Sequence, residues 1–151
     1  MTVREAARTL TAGIPEDVTW AVTASANLAL RGSDVTPGDV DLKTDADGAD
    51  TIADTFSDAV VEPATPPGES DAAWIRSHYG ALELAGMRVE LVGDAEFFDG
   101  DEWVSSPPVA GNREFVDVDG AFVPAMSLDY ERAQYRAKGD DERLALLEGS
   151  A

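Results

Sequence analysis

Hydrophobic and polar positions along the chain alternate between two periods. A helix-compatible stretch over residues 2–12 ends at Gly13 and Pro15. Thr19-Trp20-Ala21-Val22-Thr23 is a short apolar run that predicts a buried strand, and Ser25 to Arg31 is helix-compatible up to Gly32. After a Pro37-Gly38 turn, Val40 and Leu42 alternate with Asp39, Asp41 and Lys43 at strand period. Asp47 is placed to cap a helix running to about Ala59. Pro63, Pro66, Pro67 and Gly68 mark a loop. Trp74 to Leu84 and Met87 to Val92 then predict a hairpin around Ala85-Gly86. Residues 94–113 read as irregular. Phe115 to Val118 and Ala121 to Val123 flank Asp119-Gly120, a second hairpin signal. From Ser127 the chain is helical, with a break at Gly139-Asp140 and a last helix to about Leu147; Ser127 and Asp140 are the expected caps. The order predicts an α/β (α+β) domain, helices packed on a small mixed sheet with C-terminal helices over about 127–148.

Composition narrows the chemistry. At 151 residues, 44% of them hydrophobic, the chain is expected to form one domain, 1–151, with a real core. The absence of cysteine closes disulfide and thiolate–zinc chemistry, and the lone His78 closes a histidine-based metal cluster. The formal net charge is −19, from 30 acidic and 11 basic residues. Few lysines on a carboxylate-rich chain of ordinary apolar content resemble a cytosolic protein of an extreme halophile; an ordinary acidic protein is the alternative. Either surface is a poor partner for nucleic acid or an anionic membrane, whose phosphates need a basic patch. With no apolar leader and no run of spanning length, a cytoplasmic location is expected.

With about one residue in five acidic, a bare Asp-x-Asp carries little information. Asp45-Ala46-Asp47 sits at a helix start, Asp99-Gly100-Asp101 straddles a turn, and Asp117-Val118-Asp119 runs into a hairpin turn. Asp39-Val40-Asp41-Leu42 differs in setting, because an apolar strand, a small-residue turn and a short helix precede it. Two carboxylates at i and i+2 of a strand share a face.

Thr23-Ala24-Ser25, a gap of thirteen residues, then Asp39-Val40-Asp41-Leu42 resembles the motif of the nucleotidyltransferase superfamily related to DNA polymerase beta. Glu90, in Arg88-Val89-Glu90-Leu91-Val92, matches the third carboxylate which that family takes from a later strand. The resemblance covers residues 17–92 well and the C-terminal helices loosely, and is nearest to the minimal and the aminoglycoside- or lincosamide-modifying types. It implies that Asp39, Asp41 and Glu90 are catalytic and hold Mg²⁺, or Mn²⁺ in its place, in a two-metal site. It also implies that Ala24, Ser25 and Lys43 lie toward the nucleotide phosphates. The implied reaction moves a nucleoside monophosphate from an NTP, with ATP expected, onto a hydroxyl of a small molecule or protein. The departure is Ala24, which stands where the family has glycine. If φ is positive there, alanine is strained. That favours, as alternative, a weakly active or inactive regulatory protein on the same fold, such as an antitoxin beside a partner protein.

Other residues keep two readings. Lys43 meets a phosphate or pairs with a carboxylate. Arg132, Arg136, Lys138 and Arg143 contact the triphosphate or pair with Glu131, Asp140 or Glu142. His78 faces the acceptor pocket or is a partly buried, hydrogen-bonded residue. Trp20 is expected in the core, whereas Trp74, Phe97, Phe98 and Trp103 are open to a pocket role.

Overall fold

A computed structural model describes residues 1–68 and 74–150. Thr2 caps helix α1 (Val3–Gly13) through a reciprocal capping box with Glu5. Strand β1 (Ala21–Thr23) runs directly into α2 (Ala24–Leu30), and β2 (Asp39–Thr44) follows. Helix α3 (Ala46–Thr55) is capped by Asp45, whose carboxylate accepts the Gly48 N–H, and not by Asp47, which lies in the first turn. It stops at Thr55, short of Ala59, and a separate 3-10 turn covers Ser57–Ala59. The long hairpin is β4 (Ile75–Leu84) with β5 (Met87–Phe98). The second hairpin is β7 (Arg113–Val118) with β8 (Ala121–Met126). Ser127 caps α4 (Leu128–Lys138), Gly139 closes it at φ 69°, and α5 (Asp141–Ser150) follows.

Two segments differ from the sequence pattern. The proline-rich stretch contains strand β3 (Val60–Thr65), which accommodates Pro63 because it is an edge strand with irregular register against β4. The segment read as irregular from residue 94 instead continues β5 to Phe98 and adds β6 (Trp103–Ser105), paired with it. At Asp94, φ is +48°, and the β4–β5 register shifts between Arg76 and His78. That kink hides the continuity of the strand from its alternation.

The strands form one mixed sheet in the order β3-β4-β5-β2-β1-β8-β7, with β1–β8 and β2–β5 parallel. Leu10 of α1 and Ile52 of α3 pack with Val22, Val40, Leu42, Val89 and Leu91 into the main core on one face. Close approach of α3 to the sheet requires Gly93, where a Cβ would lie 2.6 Å from the Asp45 carbonyl oxygen. A second cluster, Leu28, Tyr135 and Leu147, ties α2 to α4 and α5. Strand alternation therefore turns Asp39, Asp41 and Glu90 away from the main core. No helix among the described residues is long and apolar enough to cross a membrane.

Candidate active site

Parallel pairing of β2 with β5 sets Asp41 opposite Glu90 and Asp39 opposite Arg88, and paired residues share a face. The three carboxylates Asp39, Asp41 and Glu90 each offer one oxygen within 4.8 Å of the others. Burial, reinforced by the charges of Asp39 and Glu90, pushes the Asp41 carboxyl up to about 7. Such a donor set, all hard oxygen and short of counter-charge, fits a divalent cation of the Mg²⁺ type.

Arg88 is the cation nearest Glu90. Its Nε donates to Glu90 Oε1 at 3.1 Å, and its Nη2 donates to Glu62 and to the Tyr79 hydroxyl. Strand period already puts Arg88 and Glu90 on one face, but Glu62 and Tyr79 come from other strands, so the full contact carries no local signal.

Two cavities flank the carboxylates. One, of about 420 Å³, is lined by Ser25, Gly38, Asp39, Asp41, Lys138 and Arg143. The other, of about 620 Å³, is lined by Glu62, Ile75, Ser77, Tyr79 and Glu90. Ser25 accepts a hydrogen bond from Arg143 Nε at 2.9 Å, and Arg143 also pairs with Asp140 at 3.1 Å. Arg132 pairs with Asp129, within its own helix. Among the basic residues of the C-terminal helices, Lys138 and Arg143 thus face the carboxylate cleft.

Ala24 has φ 60°, the left-handed value at which alanine is strained. Its N–H is directed at Glu131 of α4, 3.2 Å from each carboxylate oxygen. Glu131 is fully buried, and in the sequence it is one more helical glutamate with nothing to set it apart.

Lys43 shares the face of Asp41 but is buried and drawn away from it. Its Nζ donates to Ser106 Oγ at 2.6 Å and lies 5.5 Å from the Tyr130 ring centroid. Burial lowers its ammonium to about 8. No ion pair among the described residues includes it, so of its two readings the carboxylate pairing is not made, and its ammonium meets a hydroxyl and a ring.

His78 faces the helical side of the sheet, where Nε2 lies 2.9 Å from Asp50 Oδ1, and so takes the hydrogen-bonded reading. Trp20 is in the core. Trp103 belongs to β6 rather than a loop; Arg76 covers its ring at 4.3 Å. Trp74 stacks on Phe97, and Phe97 lines a smaller recess with Ile75 and Tyr130 next to Asp41.

Comparison with known proteins converges on one group. Residues 10–148 match the family model described as aminoglycoside-2''-adenylyltransferase. No curated protein matches the chain. A protein of Thermotoga maritima, TM1012, provisionally assigned as a nucleotidyltransferase, is 31% identical. It superposes with a TM-score of 0.80 over 96% of this chain and 89% of its own. ANT(2'')-Ia, solved with adenylyl-2''-tobramycin, is 12% identical with a TM-score of 0.62, over 98% of this chain and 88% of its own. An antigenic nucleotidyltransferase-like protein of Paracoccidioides brasiliensis is 17% identical with a TM-score of 0.56, over 96% and 74%. The last two show a shared fold. By the span of the family match and its identity to the Thermotoga protein, the chain belongs to the aminoglycoside-2''-adenylyltransferase family of nucleotidyltransferases.

Proposed function

We propose that the protein transfers a nucleoside monophosphate, with AMP from ATP the first candidate, to a hydroxyl of a small cationic acceptor of the aminoglycoside class. The carrying observation is the convergence of Asp39, Asp41 and Glu90 between two cavities. The family description and the adenylyl-tobramycin held by ANT(2'')-Ia support the choice of nucleotide and acceptor.

Asp39, Asp41 and Glu90 would hold the divalent cation. When bound, that cation neutralises triphosphate charge and favours displacement at the α-phosphorus. Ser25, Lys138 and Arg143 bind and orient the phosphates in the adjoining cavity. The acceptor occupies the cavity beside Glu62, Tyr79 and Glu90, where Glu90 receives the hydroxyl proton. A bond forms from the acceptor oxygen to the α-phosphorus as the bond to pyrophosphate breaks, and Lys138 and Arg143 steady the departing charge.

A second reading, a weakly active regulatory protein acting on a partner protein, is favoured by the strained φ of Ala24. Labelled NTPs with Mg²⁺ or Mn²⁺ in high KCl, offered an aminoglycoside panel, other hydroxyl acceptors and the protein itself, separate the two. Cation-dependent transfer that falls by about a thousandfold or more in Asp39→Asn/Asp41→Asn supports the enzyme. Nucleotide binding without transfer to any acceptor supports the regulator. No nucleotide binding overturns both.

A further inference from the structure

We propose that Glu131 is a positioning residue: it holds the β1–α2 turn in the left-handed conformation that turns Ser25 toward Asp39 and Asp41, a task that needs no such clamp where glycine occupies position 24. The proposal rests on the nucleotidyl-transfer reading of this cleft.

Three observations meet here. Ala24 sits at φ 60°, and its methyl disfavours that conformation, so something outside the turn must hold it. Glu131 is 1% exposed, and the hydrogen bonds of its carboxylate converge on this turn. It accepts from the Thr23 hydroxyl, from the Ala24 N–H through both oxygens, and from Asn27 Nδ2 at 3.4 Å. Asn27 is itself fastened to the end of β8, donating to the Met126 carbonyl at 2.8 Å.

A buried carboxylate is costly unless donors compensate it. No ion pair among the described residues includes Glu131; burial raises its carboxyl, against which Thr23, the Ala24 N–H, Asn27 and the charge of Lys138 act, and the three hydrogen-bond donors of the turn are what it fixes in return. Residues 23–27 and 131 belong to different elements, which makes the clamp a tertiary contact and not a local cap. It also occupies the Ala24 N–H, leaving Ser25, Lys138 and Arg143 as the groups facing the phosphates.

The test is a mutant cycle of Glu131→Gln and Ala24→Gly, singly and together, read by Mg·ATP affinity, by kcat and KM, and by hydrogen exchange at the residue 24 amide. Glutamine keeps the shape but offers the turn one acceptor in place of two and no charge. Glu131→Gln is expected to speed exchange at the Ala24 amide and weaken ATP binding by about tenfold. Glycine at position 24 is expected to restore most of the ATP affinity in the double variant, while the exchange stays fast. A purely structural glutamate would lower Tm while leaving ATP affinity unchanged, or would give a double variant no better than Glu131→Gln; either result overturns the proposal. So does unchanged exchange at Ala24. If the wild type binds no nucleotide, the transfer reading fails, and the exchange measurement still judges the clamp.

Discussion

Asp41 has its chemistry strongly altered by burial and by its neighbours. Its carboxyl rises from 3.8 to about 7 through burial and the charges of Asp39 and Glu90. A carboxyl raised by folding binds its proton more tightly in the native state. Its stabilising contribution is therefore full below the unfolded value and lost as pH rises through the native one. Without divalent cation, unfolding free energy is expected to fall as pH rises from about 4 to about 7, by on the order of 1–3 kcal/mol. Asp41→Asn removes the charge that makes the trio costly and should flatten that slope, as followed by urea melts at each pH. An equal slope in the variant would reject the assignment. Conversely, Mg²⁺ should stabilise more at pH 8 than at pH 6, because it competes with that proton. Asp39 and Asp41 were legible in the sequence because strand period is a local rule, whereas Glu90, on a strand far along the chain, was reached only through the family resemblance. Glu131 was not legible, because its meaning comes from a turn more than a hundred residues earlier in the chain. Arg88 was hidden for a similar reason, its partners Glu62 and Tyr79 arriving from β3 and β4.

At the scale of elements, α1, α2, β2, both hairpins and α4 could be read from period and punctuation. What escaped was what tertiary placement decides. Pro63 marks a break in isolation but is tolerated where β3 borders solvent. Phe97 and Phe98 lie beyond a left-handed Asp94 that breaks the alternation, so the end of β5 looked irregular until β6 paired with it. Gly93 is a contact that holds two elements together. Gly93→Ala would press a methyl against the Asp45 carbonyl and push α3 from the sheet. A loss of about 1–3 kcal/mol in urea denaturation is expected, with a smaller loss at Gly38→Ala, whose Cβ would meet nothing within 4 Å. Equal costs at the two positions would refute the packing argument.

The whole molecule carries a net charge of −19, and that charge repels itself in every folded state. Salt shortens the reach of the repulsion to about 8 Å at physiological ionic strength and about 3 Å at 1 M. Tm is therefore expected to climb as KCl rises from 0.1 M to above 1 M, with most of the gain kept in Asp41→Asn because the charge is distributed. A Tm that is flat or falling over that range would show that surface repulsion does not limit stability.

The pairing of β2 with β5 also has a consequence for the order in which the site comes into being. Residues 39–44 pair early with β1 but find their parallel partner only at 88–93, and the β1–α2 turn meets its clamp only at Glu131. During synthesis, a nascent chain that has emerged only through α3 carries Asp39 and Asp41 but neither Glu90 nor a fixed turn. The proposed site for metal and nucleotide is thus not assembled until α4 docks, and on that proposal each would act as a late ligand that pulls folding to completion.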